Sequence, residues 1–263
     1  TGRSAASVER WDATELNLWK DATIRWLVMR PWSDRPITDC HEPLLSLPLE
    51  LLRLEPHPYV SVGAPYGPDA DPFRLRSGVV QRLLRAQQAL KQRHPELRLA
   101  IFDAWRPVSV QAFMVEFSVE QEAQRCGVDR DDAAGMTGVR EAVNRFWAEP
   151  SRNPATPPPH STGGAVDLTL ASSLDGTQLF MGGMIDAINE ISEPDHFVQA
   201  AAGTDQAIWH KRRCLLRSVM SSAGFAQHPN EWWHFSHGDQ LWAWRSGQST
   251  AIYAEADNRS LTA

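Results

Sequence analysis

A histidine and an aspartate, His160 and Asp167, stand seven residues apart with Gly163 and Gly164 between them. Two glycines let the chain turn sharply, so both side chains can converge on one cation from a loop and the strand that follows it. A second grouping is Glu231-Trp232-Trp233-His234. In an extended segment residues i and i+3 point to opposite faces, but a twist or bulge at the strand's start lets both reach one cavity. Two histidines and one aspartate hold zinc through three protein ligands and leave a fourth position open to water. That is the arrangement of a catalytic rather than a structural site. Glu231 is then the group placed to take a proton from that water. The competing reading is a scatter of surface and satisfied core side chains, since the chain carries nine histidines.

The elements that must position these residues can be followed along the chain. Pro56 to Pro72 is rich in Pro, Gly, Asp and Tyr and reads as loop. After Ser77, the residues Val79, Val80, Leu83, Leu84 and Leu90 form one apolar helical stripe, ended by His94-Pro95. Leu97 to Phe102 reads as a short strand leading into Asp103-Ala104-Trp105-Arg106-Pro107. Val108 to about Gln124 and Asp131 to about Glu149 read as helices. The proline-rich linker from Pro150 to Pro159 excludes helix and delivers His160. Ala165 to Leu170 reads as a strand. Gln206 to Ala223 reads as a helix whose inner face is Ile208, Leu215, Leu216, Val219 and Met220, with Gly224 at its C′ position. Trp232 to Ser236 and Leu241 to Arg245 read as two strands joined by a His237-Gly238-Asp239-Gln240 hairpin. The expected architecture is α+β: a single domain over 1–263, with a mainly antiparallel sheet flanked by helices and the metal in a cleft. No internal repeat or convincing boundary interrupts it.

Bulk properties narrow the function further. The 263 residues, 42% hydrophobic and 22% charged, suit a soluble globular chain with a sizeable core. A net charge of −6 argues against a general nucleic-acid binder, which needs a concentrated basic face. No apolar run approaches the roughly 18 residues of a membrane helix. Cys40, Cys126 and Cys214 form no C-x-x-C and are odd in number, so inert core thiols in a reducing compartment are expected, with Cys214 on the buried helix stripe. The first fifteen residues carry no apolar signal region, and a cytoplasmic location is expected, with the periplasm as the alternative. Most of the eleven tryptophans are expected in the core, with some left to line a cleft. Neither a Gly-rich phosphate loop nor a G-x-S-x-G elbow is present, and Ser161 has no context for a nucleophile.

The run His160-Ser-Thr-Gly-Gly-Ala-Val-Asp167-Leu-Thr-Leu170 resembles the H-x(6)-D signature of the zinc D-alanyl-D-alanine peptidases. Glu231-Trp-Trp-His234 resembles their E-x-W-H signature, and Asp103-Ala-Trp-Arg106-Pro107 is similar to the D-x-Y/W-R-P segment that precedes both. Gly176-Thr177, Met181-Gly182, Asp186, the Lys211–Leu216 run and Gly224-Phe225 resemble the dipeptidase branch. The likeness runs from about Ser77 to Arg245, and a segment of roughly 1–55 matches poorly. The resemblance implies one zinc per chain on His160, Asp167 and His234, with Glu231 as base. It also implies that Arg106 polarises the scissile carbonyl and holds the developing oxyanion, and that Asp186 faces the substrate's free ammonium. Arg106 has a second reading as a salt bridge to Asp103 or a helix-end contact, and Asp186 as a solvated helix carboxylate.

One departure is Pro158, where relatives commonly carry a serine two residues before the first zinc histidine; this bears on the substrate pocket and not on the metal. Of the other histidines, His228 and His237 are expected near the ligands and His196 near substrate, whereas His41, His57, His94 and His210 are expected to face solvent. The function expected is zinc-dependent hydrolysis of a short peptide, a D,D-dipeptide such as D-Ala-D-Ala. The alternatives are a D,D-carboxypeptidase or cell-wall endopeptidase of the same superfamily, or a non-catalytic zinc-bearing domain. The partner expected is a small peptide, with no nucleic acid and no membrane.

Overall fold

The protein is described from a computed structural model covering residues 30–67, 70–147 and 150–256. Chain contacts divide it at Pro31–Trp32, and the unit from Trp32 onward contains every element discussed below. Most of the poorly matching N-terminal segment, residues 1–29, lies outside the described residues.

Two sheets form. The smaller pairs β1 (Leu44–Ser46) with β3 (Arg74–Arg76). The larger has five strands in the order β2 (Leu52–Arg53), β4 (Leu97–Asp103), β5 (Ala165–Ser172), β7 (His234–Ser236) and β6 (Ala226–Gln227). Only β2–β4 is parallel; the other three pairings are antiparallel. The mixed α+β architecture with a mainly antiparallel sheet is therefore as expected.

Side-chain alternation explains the layers. Leu99 and Ile101 of β4 lie opposite Leu170 and Leu168 of β5, so these four share a face. That face joins Val79, Leu83, Ala86 and Leu90 of helix α2 (Ser77–Arg93) and Leu216, Val219 and Met220 of α5 (Asp205–Ser222) in the main core. Helix α2 stops at His94, ahead of Pro95, as the sequence requires. Its first turn is held by Glu42, whose Oε2 accepts from the Gly78 amide. A second core gathers Tyr59 and Tyr66 with Val110, Met114, Val115 and Val119 of α3 (Val108–Cys126) and Val139 and Val143 of α4 (Ala133–Asn144).

Several expectations need correction. Leu241–Arg245 is not a strand but lies in helix α6 (Gln240–Arg245), because Asp239 acts as an N-cap: its Oδ1 accepts the Trp242 amide at 2.8 Å. The sheet neighbours of β7 are β5 and β6 instead. The Pro56–Pro72 stretch contains a short helix, α1 (Pro58–Ser61), with proline in its first turn. Helix α4 ends at Asn144, and residues 148–149 of the expected longer helix lie outside the described residues. Ile208 is exposed. Cys40 and Cys126 are exposed and Cys214 is half-buried, so they are not core thiols. Trp32, Trp105, Trp147, Trp232 and Trp233 are buried as expected. No described helix is long and apolar enough to cross a membrane.

Candidate metal centre and active site

The sheet face turned away from the main core carries the chemistry. Asp167 of β5 pairs directly with His234 of β7, and directly opposed residues share one face, with Cβ atoms about 5 Å apart. On the other side of β5, alternation from Leu99 and Ile101 would point residue 103 at the core. A register shift between Ile101 and Asp103 instead sets Asp103 opposite Asp167. Asp103, Asp167 and His234 thus form one row across three strands. His160 enters from a 3₁₀ turn (Pro159–Thr162) closed by Gly163 at φ 71°. At Gly164 a Cβ would lie 2.6 Å from the His237 carbonyl, so this close approach excludes other residues.

Donor atoms of three residues converge. His160 Nε2 is 3.2 Å from Asp167 Oδ2 and 3.2 Å from His234 Nδ1, and His234 Nδ1 is 3.1 Å from Asp167 Oδ1. Partners on the far side of each ring set the tautomers. His160 Nδ1 donates to the Ala104 carbonyl at 2.7 Å, which leaves Nε2 with its lone pair inward. His234 Nε2 lies 3.2 Å from Ser236 Oγ, whose hydroxyl donates to Asp239 at 2.6 Å, so Nδ1 is the inward lone pair. Two nitrogen lone pairs and a carboxylate facing one another repel unless a cation lies between them. The sides of the triangle match one face of a tetrahedron with ligand distances of about 2.0–2.1 Å, the spacing of zinc. Asp167 Oδ1 is buried and accepts no hydrogen bond, as a metal-directed oxygen should be. His160, Asp167 and His234 therefore fit the metal, and they are the cluster among the described residues with this capacity.

Glu231, at 8% exposure, stands beside the triangle, with Oε2 3.5 Å from His234 Nδ1. Arg106 lies on the other flank. Its Nη2 donates to Asp167 Oδ2 at 3.3 Å and to the Tyr59 hydroxyl at 3.1 Å, and its Nη1 to Gln111 at 2.8 Å. Nε and Nη2 both bond Asp103, at 3.0 and 2.7 Å, so the salt bridge to Asp103 exists and orients the guanidinium beside the metal cluster. Tyr59 and Trp147 cover the cation, with ring centroids 4.8 and 5.0 Å away.

Asp186 is not on a helix. It is a half-buried non-glycine residue at φ 65°, in the left-handed region. Its Oδ2 accepts from the Tyr59 hydroxyl at 2.8 Å. Burial and the charge of Asp167 push its carboxyl up to about 7, against the pull of Arg106. Burial raises the Tyr59 phenol well above its ordinary range, so the hydroxyl keeps its proton and donates. Arg106, Tyr59 and Asp186 form a continuous chain leading away from the donor triangle.

The remaining histidines divide. His228 is near, its ring 5.3 Å from that of His234 and its Nδ1 3.6 Å from Glu231. His237 packs on Trp242 and meets the Gly224 carbonyl, away from the donor triangle. His196 is exposed on Phe197. His41 is exposed, and His94 and His210 are half-buried. His57, expected in solvent, is buried against Asp103, because α1 folds inward beneath Tyr66 and Phe73. Tyr59 and Tyr66 were also missed; the one available signal was tyrosines in an otherwise turn-forming loop.

Residues 53–252 match the family described as D-ala-D-ala dipeptidase. The chain is 41% identical over 228 residues to a D-alanyl-D-alanine dipeptidase of Synechocystis sp., covering 84% of this chain and 92% of that one. It is 31% identical over 140 residues to a D-alanyl-D-alanine dipeptidase of Escherichia coli, covering 53% and 54%. Among solved structures, the vancomycin-resistance D,D-pentapeptidase VanY in complex with Zn(II) superposes with a TM-score of 0.41 at 14% identity, over 66% of this chain and 80% of that one. The chain belongs to the D-Ala-D-Ala dipeptidase family and is a zinc metallopeptidase.

Proposed function

We propose that the protein hydrolyses D-Ala-D-Ala and related D,D-dipeptides, held by a free amino terminus, with zinc on His160, Asp167 and His234. The observation that carries this reading is the chain Asp167–Arg106–Tyr59–Asp186, which places an acid for an ammonium one hydroxyl away from the cation beside the metal cluster. Zinc, when bound, supplies Lewis acidity toward water and the scissile carbonyl.

Glu231 accepts the proton of the attacking water on a carboxylate oxygen and returns it to the leaving amine. Arg106 presents its guanidinium to the charge that develops on the carbonyl oxygen. Because Asp103, Gln111 and Tyr59 hold it in place beforehand, it stabilises the transition state without reorganising. Asp186 takes the substrate ammonium, which would be expensive to bury without an acid. The three cysteines are unpaired and two are exposed, which supports a reducing compartment, the cytoplasm.

The expected result is a kcat/KM for D-Ala-D-Ala at least about 10²-fold above that for its N-acetyl form or a wall pentapeptide, since a site built for a polar group rejects the analogue lacking it. Asp186→Ala should narrow that ratio. Equal rates on free and blocked substrates favour the carboxypeptidase alternative. The pH dependence follows in sign. Asp186 must be ionised to pair with the ammonium, and its carboxyl is raised toward 7. KM for the free dipeptide should therefore rise as pH falls through a midpoint at or below 7, because bound zinc offsets the charge of Asp167. A KM that stays flat from pH 8 down to the pH at which zinc is lost, as read by initial-rate measurements, contradicts the role of Asp186.

A further inference from the structure

His57 does two things with one ring. It caps α1: its Nδ1 accepts the Tyr59 amide at 3.2 Å, which fixes the proton on Nε2. That Nε2, buried and with no closer partner, stands 3.2 Å from Asp103 Oδ1. Its N–H points off the line to the oxygen, so the contact is electrostatic more than a full hydrogen bond. The other groups on Asp103 are the Tyr66 hydroxyl on Oδ1 at 3.1 Å, Arg106 on Oδ2, and His160 Nδ1 3.3 Å from Oδ2. Asp103 is thus held by four side chains at the centre of the site, and His57 is the one that ties α1 to it. The next residue but one on α1 is Tyr59, whose hydroxyl touches both Arg106 and Asp186.

We propose that His57 is a positioning residue: by joining α1 to Asp103 it holds the Tyr59 hydroxyl between Arg106 and Asp186, and so couples recognition of the ammonium to placement of the guanidinium. This rests on the reading of Asp186 as the ammonium acceptor. Two substitutions separate the two jobs of the ring. His57→Asn keeps a short acceptor for the helix cap but cannot reach Asp103. His57→Gln carries an amide N–H out toward Asp103 and gives up the close cap.

The experiment measures kcat/KM of the zinc-loaded full chain on D-Ala-D-Ala and on its N-acetyl form, with zinc content and thermal midpoint alongside. His57→Asn should bind one zinc and lose about tenfold on the free dipeptide with little change on the blocked one, the scale of one contact to a charged group. His57→Gln should keep most of the wild-type ratio. A merely structural role would lower the midpoint and scale both substrates together. A wild-type ratio in His57→Asn, or an equal fall in both variants, overturns the proposal. If His57→Asn does not fold, the Gln variant alone decides: a preserved ratio supports the proposal and a narrowed one overturns it. A ratio near one in the unaltered enzyme instead overturns the reading of Asp186, and this proposal with it.

Discussion

Glu231→Ala is expected to retain about one zinc per chain and to lose about 10²–10⁴ in kcat, the usual worth of a positioned general base. The geometry separates the two properties. Glu231 is 3.5 Å from His234 Nδ1 but is not one of the three converging donors, so its removal leaves the triangle intact. His160→Ala, Asp167→Ala and His234→Ala each remove a corner and should release the metal as well as the activity. Metal analysis after dialysis, paired with turnover, distinguishes the sets. A Glu231→Ala protein as metal-poor as His160→Ala would make Glu231 a ligand and not a base.

Arg106→Lys should lower kcat about 10²-fold, with a smaller change in KM. Lysine keeps the charge, but it cannot reproduce the fork that meets Asp103 through Nε and Nη2 while reaching Gln111, Tyr59 and Asp167. The cation would then no longer be held where charge develops. The variant also leaves the buried Asp103 with fewer donors, so some loss of stability should accompany the loss of rate. Zinc content and a circular-dichroism melt check that the variant is folded. A normal kcat with a raised KM would move Arg106 from the transition state to ground-state binding.

The metal cluster was legible as two short motifs, one around His160 and Asp167 and one ending at His234, which the sheet brings together. A histidine, two glycines and an aspartate at the start of a strand specify a turn and a direction, and His234 is the residue that pairs with Asp167. The helices α2 and α5 were legible in a similar way: periodic apolar residues, bounded by His94-Pro95 and Gly224. The strand assigned to Leu241–Arg245 failed because Asp239, a plausible turn residue, was an equally plausible N-cap, and tertiary packing decided between them. Beyond the Arg106–Asp103 bridge, the Asp103 network was illegible. His57, Tyr66 and His160 reach it from separate segments, and the register shift that turns Asp103 to the functional face leaves no mark in an apolar strand ending in aspartate. Asp186 was singled out only by resemblance, and its left-handed backbone, uncommon outside glycine, has no signal in the sequence around it.

The central claim is tested most directly by incubating the zinc-loaded protein with a panel of D,D-, L,D- and L,L-dipeptides and a wall pentapeptide, and quantifying the free amino acids released. The account predicts release of D-alanine from D-Ala-D-Ala that a chelator abolishes and added zinc restores, with little release from the L,L-dipeptides or the pentapeptide. Failure of a protein carrying one zinc per chain to cleave D-Ala-D-Ala, or a preference for the pentapeptide, would contradict it.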